Sequence, residues 1–171
     1  MGVFTMAEWN YKRAEDSTKI FESVKPTLEH YFGGELLSTE NHENPFAELL
    51  DFKCGIDAIV KTDANAVFGI AHRVKYNYYT DFTIHTKHSD GCLTEIDKMR
   101  KDGIKPRYHV QTVCVDGKPI MVAIARSMDL LYAIDILGIA TTKTSSTKEQ
   151  FAILDWNDLI NNGINVDIIK L

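Results

Sequence analysis

Residues 49–85 read LLDFKCGIDAIVKTDANAVFGIAHRVKYNYYTDFTIH, and the order of polar and apolar positions in this stretch decides the fold. From Gly55 to Val60, the residues Ile56, Ala58, Ile59 and Val60 surround one carboxylate, Asp57, which is costly to bury in a strand without a partner. Thr62 to Asn65 supplies turn residues, and a second strand is expected from Val67 to Tyr76. Period-two alternation on it places Ala71, Arg73 and Lys75 on one face and Ile70, His72 and Val74 on the other. With Asp57 on the first face, a carboxylate stands across from two cations, an arrangement that can hold a divalent metal and a phosphate together. Both strands are almost continuously apolar, as strands covered on two faces are. The hairpin is therefore expected near the middle of a mixed sheet of about five or more strands flanked by helices, an α/β architecture.

The Gly55-Ile56-Asp57 step, the short hairpin, the apolar strand ending in basic residues and the following Phe82-Thr83-Ile84 resemble the core of the PD-(D/E)XK nuclease superfamily. The resemblance covers about residues 15–115 and suggests a divergent phage- or plasmid-type member. It implies a restriction endonuclease-like three-layer fold and cleavage of phosphodiester bonds with Mg²⁺ or Mn²⁺. By the same resemblance Asp57 matches the first metal-binding acid, Ala71 falls where a second acid belongs, and Arg73 falls where a water-activating lysine belongs. These departures have chemical weight. Alanine offers Mg²⁺ no oxygen, and arginine can grip a phosphate but stays protonated and cannot act as a general base. Asp51, six residues before Asp57, can enter the site as a second acid, with Glu48 as another candidate; an ordinary loop or cap is the competing reading of both. The family's helical acid is best matched by Glu22, with Glu29 and Asp16 as alternatives, against the plain reading of solvated acids on an amphipathic helix. The expected catalytic set is thus Asp57, Arg73 and Lys75, and the expected metal ligands are Asp57, Asp51 and Glu22. Gln111 and Lys105 can approach a substrate from a later strand.

At 171 residues the chain is long enough for one domain, 1–171, with a core that needs no staples. No segment approaches the ~20 uninterrupted apolar residues of a membrane span, and the start lacks a signal-peptide core, so a cytoplasmic protein with no membrane partner is expected. Cys54, Cys92 and Cys114 lack paired C-x-x-C spacing and read as reduced thiols. His85 and His88 lie near Cys92, but zinc would ask for four ligands at stricter spacing, so packed or solvated side chains are expected there. Charge is uneven: residues 1–71 hold 6 Lys/Arg against 12 Asp/Glu, residues 72–118 hold 9 against 6, and residues 119–171 hold 4 against 6. Affinity for a phosphate backbone comes from displaced counterions, so only the middle third suits a nucleic acid. That third also carries His72, His85, His88 and His109, with Tyr76, Tyr78 and Tyr79 for stacking.

Elsewhere, Ser17 is expected to cap a helix carrying Ile20, Phe21, Val24, Leu28, Tyr31 and Phe32, kinked or divided at Pro26 and ended by Gly33-Gly34. A strand over Glu35 to Thr39 and a polar loop over Glu40 to Pro45 follow. A third strand ends near Thr83, a short helix runs from Thr94 to Lys101, and Asp116-Gly117 turns strand Tyr108 to Val115 into strand Ile120 to Ala125. Ser127 is expected to cap a helix with Leu130, Leu131, Ile134 and Leu137; Thr141 to Thr147 reads as a mobile linker; a last strand, Phe151 to Asp155, precedes a helix from Trp156 to Asn161. There is no glycine-rich phosphate loop, G-x-S-x-G elbow, repeat or heptad pattern. Two functions remain. One is a metal-dependent endonuclease or exonuclease with an unusual site, acting on nucleic acid, DNA ahead of RNA. The other is an inactive nuclease-fold binding protein whose partner is a nucleic acid or a host-defence protein, the acidic N-terminal third suiting DNA mimicry. A homodimer fits either reading.

Overall fold

The computed structural model describes residues 6–39 and 45–171. Helix α1, Met6–Phe32, buries Ile20, Phe21, Val24 and Leu28, spaced to form one apolar stripe. It begins well before Ser17, so Ser17 lies within it rather than capping it, and it runs undivided through Pro26. Gly33, at φ 65°, ends it in a left-handed conformation that costs glycine little.

The chain then enters β1, Gly34–Ser38, followed by α2, Pro45–Leu49, a π-helical turn over Leu50–Cys54, and the hairpin of β2, Ala58–Thr62, and β3, Val67–Lys75. The expected polar loop lies, up to Pro45, outside the described residues. After β3 come β4, Asp81–Lys87, and α3, Glu95–Arg100, then β5, Pro106–Val115, and β6, Lys118–Arg126. Helix α4, Ser127–Asp135, strands β7, Thr141–Thr144, and β8, Gln150–Asp155, helix α5, Trp156–Asn161, and β9, Asp167–Lys170, complete the order.

Six strands form a mixed sheet in the order β1-β2-β3-β5-β6-β9; all neighbours are antiparallel except β3 and β5. The hairpin is thus internal to the sheet. A parallel pair needs a long crossover, and residues 76–105 supply one that carries β4 and α3. Side-chain alternation gives the sheet two apolar faces. Leu36, Val60, Ile70, Val110, Val122 and Ile124 pack under Phe21, Val24 and Leu28 of α1. On the other face Val113, Met121, Ala123 and Ala125 meet Ile96 and Met99 of α3, Leu130 and Leu131 of α4, and Phe82, Ile84 and Leu154 of a second sheet. No helix among the described residues is long and apolar enough to cross a membrane.

Four further expectations are corrected. Strand β4 runs past Thr83 to Lys87 and joins β8 and β7 in the order β4-β8-β7, with Phe82 and Ile84 buried where this second sheet covers the large one. Thr141 to Thr147 is no linker: Thr141–Thr144 pairs with β8, a backbone ladder that exposed β-branched side chains tolerate well. Ser127 makes no cap; its hydroxyl bonds the His109 ring instead, and α4 starts at it without a side-chain cap. The last strand is β9, which pairs with β6.

Candidate active site

The β2–β3 ladder stops early. It pairs residues 58–61 with 67–70, while β3 runs on to Lys75. Upstream of β2 the chain is diverted by the π-helical turn, which closes through Gly55 at φ 67°, with the Ile56 N–H on the Leu50 carbonyl. One edge of β3 beyond Ile70 is therefore left without β2, and Asp57 closes its first step. Its N–H donates to the Ile70 carbonyl at 2.9 Å, and its Oδ2 accepts the His72 N–H at 2.6 Å, replacing a ladder carbonyl. Asp57 thus sits in the bend just before the strand rather than within it.

A cavity of about 690 Å³ opens at this notch, its wall including Asp51, Asp57, Arg73, His85, His88, Glu95, Lys98 and Glu149. Ala58 opposes Ile70, so continuing the register sets Asp57 against Ala71; Ala71 in turn lies beside His109, and Arg73 beside Gln111. Asp57, Ala71 and Arg73 all line the cavity, with the Asp57 carboxylate turned along the strand edge to the His72 N–H. Arg73 nevertheless takes another carboxylate, its Nη2 lying 2.6 Å from Glu95 Oε2. Glu95, at the start of α3, also accepts the His85 N–H at 3.1 Å and bonds His109 Nε2 at 3.0 Å, while His109 Nδ1 meets Ser127 Oγ at 2.9 Å. Burial raises the Glu95 pKa, but the Arg73 guanidinium and the His109 contact overcome it and hold the carboxyl well below the usual range. Asp57 goes the other way. Burial, offset in part by the His72 N–H and reinforced by the charges of Asp51 and Glu95, pushes it up to about 7.

The remaining expected residues are dispersed. Lys75 pairs with Asp81 at the head of β4, places its ammonium over the Tyr79 ring and faces smaller cavities of about 310 and 530 Å³. Asp51 is on the cavity wall, whereas the exposed Glu22 and Glu48 are not. Glu29 accepts the Leu36 N–H, Lys105 reaches the Met99 carbonyl, and the fully buried Gln111 donates to the Arg73 carbonyl. His72 turns to the α1 side, edge-on to Phe21 and 2.9 Å from Thr112 Oγ1, and burial lowers its pKa to about 4. The three cysteines are free thiols.

Glu95, Lys98 and Glu149 carry no signal of their own in the sequence, and His109 stands out there only as one histidine of the basic middle third. Only the His85-x-x-His88 spacing carried a local signal. Among the described residues, His85, His88 and Glu149 are the one set of three whose ligand atoms lie within 4.8 Å of one another. Glu95 is committed to Arg73, His109 and the His85 N–H, and Asp57 Oδ2 accepts the His72 N–H, while Asp51 lines the same cavity. Carboxylate oxygens are the donors Mg²⁺ prefers, so Asp57 and Asp51 match it in chemistry. No protein-family model matches the chain, and comparison with curated proteins and with solved structures gives no match.

Proposed function

We propose that this chain is a metal-dependent, nuclease-like protein acting on phosphodiester bonds of nucleic acid, DNA ahead of RNA, built on a restriction endonuclease-like three-layer plan. The observation that carries the reading is Asp57, a carboxylate just ahead of β2 that lines the cavity, with Asp51 and Arg73 on the same wall. Asp57 and Asp51 would hold Mg²⁺ or Mn²⁺, which when bound supplies Lewis acidity toward a phosphoryl oxygen. Arg73 is 42 % exposed despite its bond to Glu95, so its remaining N–H groups can orient a phosphate. Lys98, on the same wall, brings a second cation to the cavity.

A second reading rests on a specific observation as well. Glu95 neutralises Arg73 and Asp81 neutralises Lys75, so the two cations expected to meet substrate are engaged within the chain. That suits a nuclease-fold protein that binds a nucleic acid or another protein without cleaving. Cleavage of single- and double-stranded DNA and RNA with Mg²⁺ or Mn²⁺ separates the two. Asp57→Asn, nearly isosteric but without the charge that Mg²⁺ requires, should abolish cleavage and leave the circular dichroism spectrum unchanged. A wild type that cleaves nothing under these conditions leaves only the binding reading.

A further inference from the structure

Strand β4 carries His85 and delivers His88 just past its end, and β8 begins one residue after Glu149. The two strands pair antiparallel, with His85 opposite Phe151 and Lys87 opposite Gln150, so the ladder slips at Thr86. Residues three apart on a regular strand point to opposite faces; a bulge breaks that alternation. Here His85 and His88 come together, ring centroids 3.9 Å apart, and both address one carboxylate. His85 Nε2 lies 3.9 Å from Glu149 Oε2, and His88 Nδ1 lies 3.6 Å from Glu149 Oε1.

Two further features set this group apart from a chance surface cluster. His85 Nε2 is buried without a hydrogen-bond partner, an unfavourable state that a bound ion would relieve. Its ring is also held in place by stacking on Phe151, at 4.5 Å between centroids and 12° between planes. A fixed imidazole with its nitrogen aimed at a second imidazole and a carboxylate is a ligand set in place before the ion. A tetrahedral ion with ~2.1 Å bonds has ligand atoms ~3.4 Å apart, close to the 3.9 and 3.6 Å from the two rings to Glu149, and all three ligand atoms lie within 4.8 Å of one another.

We propose that His85, His88 and Glu149 bind one divalent transition-metal ion of the Zn²⁺ class, with a coordination position open to the cavity that also holds Asp57 and Arg73. Two imidazole nitrogens and one carboxylate suit Zn²⁺, Co²⁺, Ni²⁺ or Fe²⁺, whereas Mg²⁺ and Ca²⁺ favour all-oxygen sets. Three protein ligands are the number found where a fourth position is kept for water or substrate. An anionic oxygen of a substrate in the cavity is the natural occupant of that position. The site shares no ligand with the Asp57–Asp51 pair, so each stands or falls alone.

The test is titration of the full chain, stripped with chelator, with Co²⁺ followed by its visible absorption and with Zn²⁺ in competition. One equivalent of Co²⁺ should bind, Zn²⁺ should displace it, and excess Mg²⁺ should leave the spectrum unchanged. His88→Ala and Glu149→Gln each remove a half-exposed ligand, and each should weaken binding by more than the ~10–100-fold that loss of an outer-shell partner costs. Asp57→Asn should bind Co²⁺ as the wild type does. His88→Cys returns a donor at the same place and should bind Co²⁺ with a thiolate charge-transfer band, a positive signal that only a folded site can give. Absence of stoichiometric binding in the wild type, binding that survives both ligand deletions, or no charge-transfer band in His88→Cys overturns the proposal.

Discussion

Asp57 is asked for two things that pull its proton in opposite directions. Accepting the His72 N–H favours the carboxylate, while burial beside Asp51 and Glu95 favours the acid, and burial prevails. An unfolded aspartate titrates near 3.8, whereas in the fold Asp57 titrates at about 7. Below the lower value both states are protonated and nothing is lost. Between the two the native state holds a proton that the unfolded state has released, so stability falls as pH rises through this window and stays lower above it. Three pKa units set an upper bound of ~4 kcal/mol. Asparagine keeps an oxygen for the His72 N–H and removes the titration. In urea unfolding, Asp57→Asn should therefore gain on the wild type by ~1–3 kcal/mol between pH ~4.5 and pH ~8. Glu95 does not confuse the comparison. Its depressed pKa contributes stability that is fully present above the unfolded value of 4.5 and is lost only as pH falls below it. A stability difference that stays flat with pH would mean that Asp57 is ionised throughout.

The element that aims Asp57 is the tight passage from the π-helical turn into β2, and its fit is set by a side chain meeting a glycine. A Cβ on Gly69 would lie 2.5 Å from Ile56 Cδ1 and 2.9 Å from Ile56 Cγ2, and Ile56 immediately precedes Asp57. Gly69→Ala should cost ~1–3 kcal/mol by overpacking, and Ile56→Ala ~2–5 kcal/mol through the cavity it leaves. Together they should cost clearly less than their sum in denaturant unfolding, since each relieves the other's fault; additive costs would place the strain elsewhere. The β2–β3 hairpin was legible because its apolar runs and the turn between them are local signals. The partners of β4 were not, since burial of Phe82 and Ile84 looks the same in sequence whether the strand extends one sheet or covers it with another. Thr141–Thr144 was misread because a strand with exposed side chains is held by backbone ladder bonds to β8, which composition does not report. Glu95 illustrates the same limit: after the capping residue Thr94 it resembles any first-turn acid, yet it receives Arg73, His109 and the His85 N–H from three other elements.

At the scale of the molecule, charge decides how a polyanion can approach. The chain carries 19 Lys and Arg against 24 Asp and Glu, and the excess of cations in residues 72–118 was the electrostatic feature favouring nucleic acid. The structure spends several of those cations internally: Arg73 on Glu95, Lys75 on Asp81 and Arg100 on Asp135. Lys105 reaches the Met99 carbonyl, and Arg107 lies over the Phe68 and Tyr108 rings. A sequence count of positive residues therefore overstates the surface available to phosphates, because it cannot see which carboxylates the fold brings alongside. The slope of log affinity against log salt measures the phosphates neutralised, at ~0.9 per contact. With so many cations engaged, binding to a short DNA duplex in chelator should follow a shallow slope, no steeper than about −3, by fluorescence anisotropy between ~50 and ~200 mM salt. Either proposed function then needs something other than a basic groove to hold its partner: a metal ion joining Asp57 and Asp51 to phosphate in the enzyme, or surface complementarity in the binding protein. A slope of about −6 or steeper would show that the intramolecular pairs open on contact with DNA, making Arg73, Lys75 and Arg100 a binding surface after all.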